Sequence, residues 1–312
     1  MTKDDFSYIK DFRLITELKN DNSGYSRWAF AERDSRPYFI KEFLSPVIPQ
    51  SGIGISKEQI QRKMLICENF EVKKKRIYDK LQLCETGNIV TVQEFFQFNS
   101  RYYIVTERID TFTHEILDIA EASEKDKLLL MRVISHSIAS LHKKGIVHAD
   151  LKPDNILIKR TKTGSLTAKI IDFDASFLES EPPEKGEDLQ ADLVYMAPET
   201  FMFVGLEKKI TLTRKIDIFA LGLIFHQYLS GRLPEFSAEY DYYYEAALNN
   251  AKISINRGAM GLLIKDMLLP IPEKRPTIDE VFERLSDSSL EPYGGPDAKS
   301  AGASYFKNPT DL

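Results

Sequence analysis

The chain has 312 residues, of which 43% are hydrophobic and 29% charged, with a formal net charge of −5. That length can bury a sizeable core in one large domain or two lobes, and the acidic balance excludes a global basic field that would draw in nucleic acid or an anionic membrane. The two cysteines, Cys67 and Cys84, lack metal-ligand spacing and are too few for a secreted disulfide scaffold, so a reducing cytoplasm is the expected setting.

In chain order, the opening Met1-Thr2-Lys3-Asp4-Asp5 is polar and lacks the apolar stretch of a signal peptide. No later apolar run is long enough to span a bilayer. Residues 7–45 alternate polar and apolar, which predicts antiparallel strands at Phe12–Ile15, Arg27–Ala31 and Pro37–Phe43. A turn around Gly24 joins the first two, and Asp34-Ser35-Arg36 joins the next. Residues 46–56 read as a loop, and 57–82 are strong helix formers without Pro or Gly. Strands at Val92–Phe96 and Tyr102–Ile109, turning at Asn99-Ser100-Arg101, complete a five-stranded sheet over residues 1–109. A boundary is expected at Asp110. Leu130, Ile134, Ile138 and Leu141 recur at helical spacing until Gly145 stops the pattern. A hairpin follows, Asn155–Lys159 against Leu166–Ile171. Lys215–Phe225 is apolar nearly all round, a buried helix in which the Asp217 carboxylate needs a partner. Tyr240, Tyr242, Tyr243 and Tyr244 read as an aromatic packing face. A last helix runs from Ile278 to Leu285, and residues 286–312 are expected to form a flexible tail.

The chemistry concentrates between Ile146 and Leu157, where Asp150, Lys152 and Asn155 fall within six positions bracketed by apolar runs. A carboxylate can accept a hydroxyl proton, an ammonium can neutralise phosphate, and an amide oxygen can coordinate magnesium. Together these can move a phosphoryl group, a reaction catalysed mostly by positioning and charge neutralisation. A solvated, charge-rich turn is the alternative for this stretch alone.

The stretch resembles the catalytic loop of eukaryotic-type Ser/Thr protein kinases, and further motifs follow in that family's order over residues 8–285. They are Lys41, Thr106, Asp172-Phe173, Ala197-Pro198-Glu199, Asp217 and Arg275. The resemblance implies an α+β, two-lobed kinase fold: a five-stranded N-terminal sheet plus helix, then a mostly helical lobe over 110–285. It implies ATP and Mg2+ as cofactors and Ser/Thr hydroxyls of proteins as acceptors. Asp150 would be the base, Lys152 would steady the γ-phosphate, Asn155 and Asp172 would hold magnesium, and Lys41 the α- and β-phosphates. Gly24, Ala29, Phe39, Thr106, Glu107, Ile109 and Leu157 would line the nucleotide. Asp217 would brace the catalytic loop, and Arg275 would pair with buried Glu199. Lys152 is the residue typical of Ser/Thr rather than Tyr kinases.

Departures from the family sharpen the expectations. The phosphate loop keeps only Gly24, with Asn22 and Arg27 at the flanking glycine positions. Ala29 and Phe39 stand where Val and Ala usually meet adenine, an apparent exchange of sizes that conserves volume. The glutamate that partners the lysine is unsettled: Ile77, Tyr78 and Leu81 would place it at Lys74, so Glu71 qualifies only if the helix shifts by a turn, with Glu68 behind it. A solvated charged face is equally open. Asp174 replaces the glycine after Phe173, which should hold the aromatic in. Ala149 replaces the loop arginine, so activity is expected without activating phosphorylation. The segment 175–199 carries Glu179, Glu181, Glu184, Glu187, Asp188 and Asp192 against Lys185, compatible with basic substrates, with autophosphorylation, or with simple solvation. Asp192 stands where Ser/Thr kinases usually carry Thr. A pseudokinase that binds nucleotide without turnover is the alternative function.

Overall fold

The computed structural model describes residues 7–20, 26–50, 56–84, 86–113, 115–186, 189, 191–236, 240–255 and 258–287. Gly24 and all but the first two residues of the expected tail lie outside the described residues.

Alternating apolar residues build the N-terminal sheet from β1 (Tyr8–Ile9), β2 (Phe12–Leu14), β3 (Ser26–Arg33), β4 (Arg36–Phe43), β5 (Glu94–Phe98) and β6 (Arg101–Glu107). All five expected strands are present, and the short β1 adds a sixth at the edge, in the order β1-β2-β3-β4-β6-β5. The β3–β4 hairpin pairs Trp28 with Lys41, Ala29 with Ile40 and Phe30 with Phe39. Its turn places Asp34 and Ser35 at φ 52° and 60°, the left-handed pair that matches a two-residue hairpin to strand twist. Because side chains alternate, Ala29, Ala31, Tyr38 and Ile40 share one face and pack with Phe12 and Val105 in a small upper core. Phe39, Lys41 and Phe43 face the other way. Phe43, Tyr102 and Ile104 join the main core, which also takes Ile77, Tyr78 and Leu81 of α1 (Lys57–Gln82). Ser56 opens α1 with a capping box: its hydroxyl accepts from Gln59 N–H, and the Gln59 side chain accepts from Ser56 N–H.

The remainder is mostly helical: α2 (Ile116–Ala120), α3 (Glu124–Lys143), α4 (Pro198–Val204), α5 (Lys215–Ser230), α6 (Tyr243–Leu248), α7 (Ala259–Met267) and α8 (Ile278–Ser286). Leu130, Ile134, Ile138 and Leu141 of α3 have no exposed surface, and each such burial stabilises by roughly 1.5–3 kcal/mol. Gly145 follows at φ 72°, a left-handed exit that only glycine takes without strain. Packed against α2 and α7, α5 is buried along nearly its whole length. A Cβ at Gly222 would sit 2.9 Å from Leu268 Cδ2, so the side-chain-free position sets how closely α5 and the end of α7 approach. Two small ladders complete the fold: β7 (Ile146–Val147) with β10 (Phe177–Leu178), and β8 (Ile156–Arg160) with β9 (Leu166–Ile170). They hold the two ends of the polar stretch at 148–155 in register. Tyr242 and Tyr244 stack on each other, and Tyr244 on Phe201, so this aromatic group is packing. No helix among the described residues is long and apolar enough to cross a membrane.

Candidate active site

The loop after β7 is shaped from below by α5. Asp217, buried within an apolar helix, accepts bonds from His148 N–H and Ala149 N–H, each at 2.9 Å, and lies 2.9 Å from His142 Nε2. Burial alone would raise its carboxyl pKa; the bond to His142 and the backbone donors outweigh it and hold the pKa below the ordinary 3.8. Ala149 adopts φ 69°, left-handed, so that both N–H groups point at one carboxylate. His148 Nε2 faces Ile171 O at 3.0 Å and Nδ1 accepts from Asp150 N–H at 3.3 Å, a pairing that fits the tautomer with its proton on Nε2. Its ring lies 5.1 Å from that of Phe173, which is buried.

Above this base the three polar residues converge. Asn155 Nδ2 donates to Asp150 O at 2.7 Å and to Asp150 Oδ2 at 3.0 Å. Lys152 Nζ lies 3.1 Å from Asp150 Oδ2 and 3.8 Å from Asp192 Oδ2, and Asp192 N–H donates to Asp150 Oδ1 at 3.3 Å. Burial raises the Asp150 pKa, with Lys152 and His148 opposing. Burial would lower that of Lys152, but Asp150 and Asp192 outweigh it and raise it. Asp192 therefore serves the base through its backbone and the lysine through its side chain.

Strand β4 and the segment after β9 meet at a second cluster. Lys41 is buried and its Nζ lies 2.9 Å from both oxygens of Asp172 and 2.7 Å from Asp174 Oδ2. For Asp172, burial opposes ionisation and Lys41 overcomes it, lowering the pKa; the Lys41 pKa is raised because the two carboxylates outweigh its own desolvation. Asp174 Oδ1 is buried without a hydrogen-bond partner among the described residues. Asn155 spends its amide donor on Asp150, which leaves its carbonyl oxygen for a ligand. An amide oxygen and aspartate oxygens are the donors a hard divalent cation takes, so Asn155 and Asp172 fit magnesium.

Two assignments made from the sequence change here. Glu71 does not reach Lys41: its carboxylate pairs with Lys75 at 2.6 Å and lies 3.5 Å from Tyr102 OH, because α1 runs without the one-turn shift that would swing it inward. Glu68 is exposed. The inward position is Lys74, buried, donating to Asp174 O at 2.6 Å beneath the Phe43 and Phe70 rings. Ala29 likewise points away, into the upper core opposite Ile40. The strand register puts Trp28 and Phe30 on the Lys41 face beside Phe39. Phe39 stacks on Trp28 at 5.6 Å and meets Phe30 at 6.3 Å, so the expected exchange of sizes is replaced by an aromatic trio. Sequence reasoning missed Trp28, Phe30 and the partnership of Lys41 with Asp174. The signal for the last was present: an acid gained at 174 in the same chain that has a lysine at 74.

The other expected nucleotide positions are placed as follows. Thr106 pairs with Phe39 across β4–β6 and so shares the Lys41 face. Glu107 ends β6, its carboxylate 2.9 Å from Lys169 Nζ. Ile109 and Leu157 are half-buried, Leu157 on the opposite face of β8 from buried Ile156 and Ile158. In the segment before α4, Glu179 takes the Arg214 backbone N–H and guanidinium, and Glu181 forms a two-bond pair with Arg76 of α1 at 2.5 and 2.7 Å. Glu199 and Arg275 are buried together, with guanidinium–carboxylate distances of 2.6 and 2.8 Å.

Comparison with known proteins agrees with this geometry. Residues 57–285 match the protein kinase domain family. Among similar proteins, the ovarian-specific serine/threonine-protein kinase Lok of Drosophila melanogaster is 31% identical over 206 residues, covering 62% of this chain and 42% of its own. Calcium-dependent protein kinase 14 of Arabidopsis thaliana is 28% identical over 258 residues, 80% of this chain and 47% of its own. The chain thus matches less than half the length of these relatives. With the family model covering most of its length and the loop, the lysine and the two buried acid–base braces in place, the chain belongs to the protein kinase domain family.

Proposed function

We propose that the chain is an ATP- and Mg2+-dependent kinase acting on Ser/Thr hydroxyls of proteins, with a nucleotide-binding lobe to residue 109 and a catalytic lobe over 110–285. The observation that carries this reading is the paired arrangement of Asp150 with Lys152 and Asn155, and of Asp172 with Lys41. Asp150 accepts the hydroxyl proton while that oxygen bonds to the γ-phosphorus and the bond to the bridging oxygen of ADP breaks. Lys152 stays charged beside the base and faces the transferring phosphoryl, and Lys41 holds the α- and β-phosphates. Magnesium, held by Asn155 and Asp172, neutralises phosphate charge when bound. The hydroxyl preference is supported by Lys152 and by the serine/threonine kinase among the relatives.

Activity without loop phosphorylation is part of the same reading. Ala149 offers no cation, while Arg76–Glu181 and Arg214–Glu179 tie the segment with permanent carboxylates. Those pairs occupy two of the acids expected to attract basic substrates, and Asp192 faces Lys152, which leaves Glu184 among the described ones for that role; autophosphorylation is a further expected outcome. The unpaired thiols of Cys67 and Cys84 suit a cytoplasmic setting. The pseudokinase alternative is favoured by the aromatic trio on the Lys41 face and by the lack of an α1 carboxylate on Lys41.

Labelled ATP and magnesium, offered with Ser, Thr and Tyr peptides, decide between them. The kinase reading expects transfer to Ser or Thr, lost in Asp150→Ala and Asp172→Ala and kept after phosphatase treatment. Nucleotide binding without transfer would replace it with the pseudokinase.

A further inference from the structure

The nucleotide lysine of this chain is held by an acid from an unexpected element. Lys41 has no carboxylate partner on α1: the inward residue there is Lys74, and Glu71 is engaged with Lys75. Both acids on Lys41 come from the segment after β9, Asp172 at 2.9 Å and Asp174 at 2.7 Å. Once Asp172 turns its oxygens to a metal ion, Asp174 is the carboxylate left to hold the ammonium. Asp174 is itself fixed from two sides. Its N–H donates to Asp172 Oδ1 at 3.3 Å, and its carbonyl accepts from Lys74 Nζ at 2.6 Å. Lys74 is fully desolvated and close enough to Lys41 to be repelled by it, while Asp174 attracts both. The cluster therefore sets two buried ammonium groups against two carboxylates that are 27% and 24% exposed, so removing either carboxylate leaves a buried ammonium short of compensation.

We propose that Asp174 is the positioning residue for Lys41 in nucleotide binding, and that Lys74 acts as its anchor, so the acid that braces the strand lysine has moved from α1 to the segment after β9. The proposal rests on the kinase reading of the same site. It follows that the orientation of Lys41 depends on the segment after β9 and not on an acid delivered by α1, which contributes a cation instead.

The test is a double-mutant cycle read by equilibrium binding of ATP and magnesium to the full chain, with thermal melting to confirm folding. Asp174→Asn, nearly isosteric, is expected to weaken nucleotide binding about 10–100-fold, by analogy with the loss when the outer-shell partner of a metal ligand is removed. In a Lys41→Met background the same change should have little further effect, since both act through one interaction. The exchange variant Lys74→Glu with Asp174→Gly should recover affinity relative to Asp174→Gly alone. Unchanged affinity in folded Asp174→Asn overturns the proposal, as does an undiminished Asp174→Asn effect in the Lys41→Met background, which would make the residue a direct metal ligand. If the unaltered chain binds no ATP, the kinase reading falls and takes the proposal with it; binding by the unaltered chain with an indifferent Asp174 removes the proposal alone.

Discussion

The helical half and the sheet half of this protein solve the same problem, holding charge out of water, in different ways. In the helical half, two buried charges have the partners their motifs imply: Asp217 takes the two loop N–H groups, and Arg275 takes Glu199. In the sheet half, the partners are rearranged, with Lys74 turned inward, Asp174 on Lys41, and Trp28, Phe30 and Phe39 together on the Lys41 face. The family match itself begins at residue 57, after β4. A buried ion pair in a packed core cannot change one member without stranding the other, whereas a cluster of four charges can trade signs between elements and keep its sum.

Arg275→Ala should have the most severe consequence, because it leaves Glu199 buried and unpaired. A loss of about 3–5 kcal/mol in chemical denaturation is expected, and a loss below 1 kcal/mol would mean the helical half is not pinned there. Phe39→Ala should act on ligand and not on folding. Removing a ring that a base can stack on costs roughly 1–3 kcal/mol, seen as weaker ATP binding by calorimetry. Tighter binding would instead show that the aromatic trio obstructs the nucleotide.

Acid should separate the two carboxylates. As the proposed base, Asp150 would act ionised, and burial raises its pKa, so turnover should fall at a higher pH than an ordinary aspartate would give. Asp217 is depressed below 3.8, so its contribution to stability is complete above that value and lost only as pH falls through the folded one. On acidification, activity should therefore disappear while near-ultraviolet circular dichroism persists. Arg76→Ala marks the mildest change: the Glu181 pair is about half exposed, and such pairs contribute about 0–1 kcal/mol. Melting should barely move, and turnover should drop only if the segment before α4 loosens.

Much of this was legible in the residues. The period of Leu130, Ile134, Ile138 and Leu141 reads as a helix and is one, since that pattern is local and each position is buried. Asp217 is a lone acid in an apolar run and takes the loop amides as expected, while its contact with His142 goes beyond that reading. The sheet was harder. Ala29 fails as a nucleotide contact by a one-residue offset, which in a strand turns a side chain to the other face. Glu71 fails because helix spacing ranks inward positions but carries no information about a distant acid; the buried place belongs to Lys74, whose charge is accommodated by Asp174 beside it. Two-residue β1 lies below the length at which alternation can be read.

The φ of 69° at Ala149 has an outcome of its own. A left-handed alanine is tolerated here because a single acid, Asp217, accepts from the N–H groups on both sides of the preceding residue, His148, so the backbone is a spring held by one latch. Glycine at 149 would relieve the tension without releasing the catch, whereas valine or isoleucine would be too stiff to enter. Cutting the catch, as in Asp217→Ala, would let the bend straighten and carry Asp150 off target while the surrounding helices stay folded.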